Sequence, residues 1–188
     1  MKKKLINFMI SATFTLVLFC GRVEAGEAIS PDRALRFGTQ YHQLTYPQSI
    51  GNAGSGFGFH GAYEFVVRKR FRVDITLSYR WFPGGVALNQ LGYGLLLRHY
   101  LIGDPQEAAG WHPYVGYGNQ LQISTIEGRP GTASSHVTAF IGGSDFYVGK
   151  QRAYIEGGFN ISYGSFFDNA ATIVLSRYEV STGIIFDW

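Results

Sequence analysis

Cysteine is all but missing from this sequence: the one residue, Cys20, lies near the start, and nothing after it can form a disulfide. Long apolar runs are scarce too. The only one is Leu5 to Phe19, preceded by Lys2, Lys3 and Lys4 and followed by Val23-Glu24-Ala25. A basic start, a short apolar stretch and a small-x-small site form a secretory signal peptide, here expected to be cleaved after Ala25, with Ala28 as second choice. Asn7, Ser11, Thr13 and Thr15 interrupt the run, which is too short for a comfortable spanning helix. A lipid-attachment signal at Cys20 would want a small residue before it, and Phe19 is bulky.

Net positive charge is equally scarce once that segment is set aside. Residues 1–25 hold four of the 16 basic residues and one of the 13 acidic ones, leaving 12 against 12. The basic pI is thus mostly a property of the leader, and a nucleic-acid partner has no support. Residues 26–188 are expected to form one domain, exported without disulfides. Few prolines, many glycines and many aromatics favour strands over helices.

What is present is alternation. In FRVDITLSYRW, Phe71, Val73, Ile75, Leu77, Tyr79 and Trp81 share one face of an extended chain, while Arg72, Asp74, Thr76, Ser78 and Arg80 share the other. The same split predicts strands at about Leu35–Tyr46, Gly56–Arg68, Phe71–Phe82, Gln90–Ile102, Trp111–Ser124, His136–Val148, Ala153–Ser165 and Thr172–Trp188. The fourth and sixth carry the weakest signal, since Leu95, Leu96 and Leu97 run together and His99 falls on the apolar face. Short connections alternate with longer ones rich in Gly, Pro, Ser and Asn, the pattern of an up-and-down meander. Gly103–Gly110 is longer than its end of such a meander predicts.

Two features predict that the apolar face points outward. The polar face carries Gly38, Gly58, Gly92, Gly94, Gly116, Gly118, Gly158 and Gly183, small residues suited to a crowded interior. It also carries charges of both signs, Arg36, Arg68, Arg72, Arg80, Arg98 and Arg177 against Glu64, Asp74, Glu156, Glu179 and Asp187, which can pair across a narrow lumen and plug it. On the apolar face aromatics gather toward strand ends: Phe37, Phe65, Phe71, Trp111, Tyr147 and Trp188 at one end, Trp81, Tyr93 and Tyr163 toward the other. Interfacial girdles of a membrane barrel have this form. Lipid offers no hydrogen bonds to a free strand edge, so a sheet in lipid must close, and eight strands permit closure.

The sequence ends on STGIIFDW. Ser181, Gly183, Phe186 and Trp188 match the barrel-assembly signal of bacterial outer-membrane proteins: a polar residue, then glycine, then an aromatic or apolar residue, then a terminal aromatic. Joined to the leader and the eight alternating segments, this resembles the small eight-stranded outer-membrane barrels of the OmpA and OmpX type. The resemblance implies an all-β, eight-stranded antiparallel up-and-down transmembrane β-barrel in the bacterial outer membrane. It also implies insertion by the barrel-assembly machinery and contact with outer-membrane lipid and lipopolysaccharide.

Within that family three functions compete. A non-enzymatic surface barrel would meet an unspecified ligand through loops such as Pro47–Ser55 and Thr125–Ser135. A lipid-modifying enzyme similar to the lipid A deacylases would need a histidine and a hydroxyl at i, i+2 on the lipid-facing wall, plus an acid. His136-Val137-Thr138 is the nearest match, with threonine in place of serine and no assignable acid, and His99 is a second ionisable candidate on that wall. A narrow pore would need an open lumen. The five histidines are dispersed, so no metal site and no cofactor is expected, and Gly54-x-Gly56-x-Gly58 lacks the following helix of a nucleotide fingerprint.

Overall fold

The computed structural model describes residues 33–46, 54–68, 70–83, 87–102, 110–128, 131–165 and 172–187. The signal-peptide segment, most of the Pro47–Ser55 loop and Trp188 lie outside the described residues. Eight strands follow in order: β1 Arg33–Tyr46, β2 Ser55–Arg68, β3 Phe71–Phe82, β4 Leu88–Tyr100, β5 Trp111–Ile126, β6 Ala133–Val148, β7 Gln151–Ser165 and β8 Thr172–Asp187. Each pairs antiparallel with the next, and β8 returns to β1, closing the barrel. The closing seam sets Leu35 opposite Phe186, Gly38 opposite Gly183 and His42 opposite Glu179.

The strands differ from the sequence expectation mainly at their ends. β4 begins at Leu88 and stops at Tyr100, two residues earlier at both ends than predicted. β6 starts at Ala133, and β7 starts at Gln151 because Val148 pairs with Gln151 across the two-residue turn Gly149-Lys150. Gly149 supplies the left-handed backbone (φ 64°) that such a turn demands. Irregular register at Val66/Arg68 and Leu44/Tyr46 marks bulges near strand ends.

The interior is the polar side. Arg36, Arg72, Arg80, Arg98, Arg152 and Arg177 are among the largest fully buried side chains, whereas Phe59 (67 % exposed), Leu77 (58 %), Tyr178 and Val180 stand on the outer wall. A soluble barrel would invert this, since apolar surface is driven from water at roughly 25 cal/mol per Å². Small apolar clusters complete the inside: Leu96, Tyr100, Tyr114 and Ile141 form one, and Ala34, Tyr154 and Ile185 another. The ambiguous leucine run resolves with Leu95 and Leu97 outward and Leu96 inward.

Glycine on the inner face lets strands and rings approach. A Cβ at Gly38 would meet the Tyr154 hydroxyl and lie 2.5 Å from the Thr182 carbonyl oxygen. One at Gly183 would overlap the Phe37 carbonyl and lie 2.6 Å from Gly38 Cα. These two glycines face each other across the seam; backbone alone fills the space at Gly183, and backbone together with the Tyr154 ring fills it at Gly38.

Candidate functional site

Period-two geometry projects one residue in two from every strand into the lumen, and in a barrel of eight strands those side chains meet. Near the end where β2 and β3 join, Arg36 is the hub. Its Nε donates to Glu64 Oε2 at 2.8 Å, and Nη1 and Nη2 form a fork on Asp145 at 2.9 and 2.7 Å. Nη2 also donates to the Tyr100 hydroxyl at 2.6 Å, which in turn donates to Asp145 Oδ2 at 2.6 Å. Arg152 approaches from β7, donating to Asp145 Oδ2 through Nη2 at 2.8 Å, to Glu64 Oε1 at 3.1 Å and to Asp187 Oδ1 at 2.5 Å. Arg72 pairs with Glu64 at 3.7 Å and lies over the Tyr100 ring at 5.7 Å. Forked guanidinium–carboxylate contacts are the strong kind of charge-assisted bond, and here they are desolvated.

A second knot lies next to it. Arg98 pairs with Asp74 and donates through Nη2 to Glu156 Oε2 at 2.9 Å. The Tyr114 hydroxyl donates to the same oxygen at 2.9 Å, and Arg98 sits 5.2 Å from the Tyr114 ring centroid. Ser181 Oγ reaches Glu156 Oε1 at 3.5 Å, while the Tyr154 hydroxyl lies 3.0 Å from His60 Nε2.

The half nearer the longer loops is wired differently. Arg80 donates to Gln120 Oε1 at 3.1 Å, and Arg177 donates to Gln90 Oε1 and Gln122 Oε1 at 3.1 and 2.9 Å. Glu179 is the acidic side chain in reach, 3.4 Å from His42 Nδ1 and 3.9 Å from Arg177 Nε.

Of the eleven charged residues that alternation assigns to the inner face, nine are buried inside the barrel; Asp187 is 40 % exposed at the end of β8, and the Arg68 side chain lies outside the described residues. Asp145 and Arg152 escaped that assignment. With β7 expected to begin at Ala153, Arg152 falls in the preceding connection, yet counting back in twos from Glu156 through Tyr154 reaches it. Asp145 was hidden because Val137, Ala139 and Ile141, on its own face, are apolar and buried, so hydrophobicity gave β6 no clear parity. The same ambiguity misplaced Tyr147. It registers with Arg152 on the lumen side of the count, while Phe146 takes the outward place and stacks on Trp111 at 5.3 Å.

On the outer wall, Phe37, Trp81, Trp111 and Tyr163 are exposed and Phe65, Phe71 and Tyr93 are half-buried. Their sorting toward strand ends is incomplete. Tyr93 stands opposite Leu77 and Leu121 well inside the strands, and Tyr117–Phe140 (5.3 Å) and Phe159–Tyr178 (5.1 Å) add aromatic pairs on the outside. Aromatic rings therefore continue between the two ends.

His136 and Thr138 both face outward on β6, Thr138 donating to Asn119 Oδ1 at 3.3 Å. The outward positions beside His136 across the sheet are Leu121 and Tyr163, so this pair gains no acid from its neighbours. His99 faces outward and stacks flat on Phe71 at 4.3 Å, 6° from parallel, which gives it a packing role. Of the terminal motif, Ser181 and Gly183 face inward and Phe186 outward against Phe37 at 6.2 Å; Trp188 lies outside the described residues. Among the described residues no cluster of three metal-ligating side chains occurs.

No family model matches the sequence. No curated protein matches it either. Solved structures do. The crystal structure of Neisserial surface protein A aligns with a TM-score of 0.63 at 12% identity, covering 83% of this chain and 97% of that one. The outer membrane protein OprG of Pseudomonas aeruginosa aligns at 0.52 with 11% identity, covering 84% and 96%. At such identities the likeness is one of fold, and this chain is a closed, eight-stranded antiparallel barrel of the kind those outer-membrane proteins adopt.

Proposed function

We propose that the chain is an integral barrel of the bacterial outer membrane with a plugged polar lumen, acting as a structural and surface-interaction protein through its longer loops. The observation that carries this reading is the inversion of polarity: buried arginines and carboxylates inside, leucines and aromatics exposed outside. In water such an outer wall would aggregate, and in hydrocarbon it is the favourable arrangement. Among the described residues no helix is long and apolar enough to cross a membrane. One fold neighbour, Neisserial surface protein A, is named as a surface protein, which supports the interaction role.

Fractionation tests the location. The protein is expected in the outer-membrane fraction, migrating faster on a gel before boiling than after. A soluble periplasmic protein without a mobility shift would overturn the reading. Removing Phe186–Trp188 is expected to lower outer-membrane levels severalfold through loss of the assembly signal; unchanged levels would contradict that assignment.

The plug follows from the paired guanidinium groups. Unpaired charges in a low-dielectric interior are costly, and pairing across the lumen holds them in place. In planar bilayers the unaltered barrel is therefore expected to show no stable conductance steps, whereas Arg98→Ala removes the bridge between Asp74 and Glu156 and is expected to produce them. Stable steps from the unaltered protein would favour a narrow pore. The lipid-modifying alternative is not supported: His136 and Thr138 do share the outer wall, but the residues paired with His136, Leu121 and Tyr163, supply no carboxylate.

A further inference from the structure

The two halves of the lumen differ in how they treat arginine. Arg36, Arg98 and Arg152 each meet at least two carboxylates within 3.2 Å or in direct ion pairs. Arg80 and Arg177, 1 % and 2 % exposed, lean on neutral amide oxygens. Arg177 crosses from β8 to Gln90 on β4 and Gln122 on β5, and Arg80 reaches Gln120 on β5. Gln120 and Gln122 are i and i+2 on one strand face, roughly 7 Å apart. Gln90, to which Arg177 donates, also pairs in register with Arg80, so the two guanidinium groups reach into the same stretch of the lumen.

Their remaining donors make no hydrogen bond, although Arg177 Nε lies 3.9 Å from Glu179 Oε2. Arg80 Nε and Nη1 and Arg177 Nε and Nη2 are buried without a hydrogen-bond partner, as is Nδ2 of Asn160, which pairs in register with Arg177. Glu179 offers one negative charge against the two positive ones, and its nearest contact is His42. Gly92 makes room for the Arg80 side chain itself, since a Cβ at that position would come within 2.9 Å of Arg80 Nη1. A buried guanidinium short of counter-charge is costly to the fold, and its planar fork of donors fits the oxygens of phosphate or carboxylate.

We infer that Arg80 and Arg177, with Asn160, form a binding site for a small oxyanion, a phosphate or carboxylate group, in the loop-side half of the lumen. Two guanidinium forks held by the β5 glutamines share the anion, which supplies the negative charge that the protein leaves out. Because the site is inside the wall, the ligand is a free solute and not a lipid headgroup. The inference is independent of the surface role, and it would stand if the loops bound nothing.

The mature protein refolded in zwitterionic detergent, with inorganic phosphate as the probe and chloride at matched ionic strength as the control, provides the test. Phosphate is expected to raise the temperature at which the fast-migrating folded form is lost, saturably and beyond chloride. Arg80→Gln and Arg177→Gln, which keep a polar side chain without the charge, are each expected to weaken the apparent affinity by about tenfold or more. Phosphorus-31 line broadening on the unaltered barrel reads binding directly and does not depend on either variant folding. No saturable effect beyond chloride on the unaltered protein, or an undiminished phosphate response in the folded variants, overturns the site and leaves the donors to internal water.

Discussion

Replacing Asp145 by alanine is expected to destabilise the folded barrel by about 3–5 kcal/mol, the usual cost of stripping one partner from a buried ion pair. Asp145 accepts from Arg36 through both terminal nitrogens, from Arg152 through two, and from the Tyr100 hydroxyl. Its loss leaves three buried guanidinium groups, Arg36, Arg72 and Arg152, sharing Glu64, with Arg152 also retaining Asp187. Asp145→Asn keeps the shape and an acceptor but removes the charge, so it should fall between alanine and the unaltered protein. Urea titration of tryptophan fluorescence in detergent measures both. A change within about 0.5 kcal/mol for the alanine variant would mean that the network adds nothing to stability beyond what a surface pair would.

Gly183→Ala is expected to prevent closure of the barrel or to cost about 3 kcal/mol or more, beyond ordinary overpacking, because the added carbon meets backbone on β1. Gly38→Ala, its partner across the seam, is expected to behave alike, since its Cβ would meet the Thr182 carbonyl and the Tyr154 ring. Refolding in detergent, without assembly machinery, separates sterics from recognition. If Gly183→Ala folds normally there and fails only in cells, the glycine acts in the assembly signal alone. If both glycine variants fail in detergent, seam packing is the cause. Ser181→Ala, which gives up one long contact to Glu156 at 3.5 Å, is the control expected to fold.

Much of this barrel was legible in its sequence, because a strand's side chains alternate whatever surrounds them. FRVDITLSYRW predicts Phe71–Phe82 to the residue, and the arginines and acids of its polar face are the ones found inside. Legibility failed where a strand mixes its faces. β6 places Val137, Ala139 and Ile141 inside with Asp145, so polarity alone could not fix its parity, and Tyr147 was assigned to the wrong side. The two-residue turn at Gly149-Lys150 likewise looked like four residues, which hid Arg152.

Alternation, the scarcity of cysteine and the glycines of the polar face determined, from sequence alone, eight strands with a polar inside. Those signals are local, set by covalent geometry and by what each face must touch. Which charges meet was decided only in three dimensions. Arg36 and Asp145 are 109 positions apart, and Arg177 finds Gln90 and Gln122 across the lumen, because closure brings opposite walls within a side chain's reach. That closure, fixed by the register of β8 on β1, also separates a half of the lumen where arginines find carboxylates from a half where two find only amides.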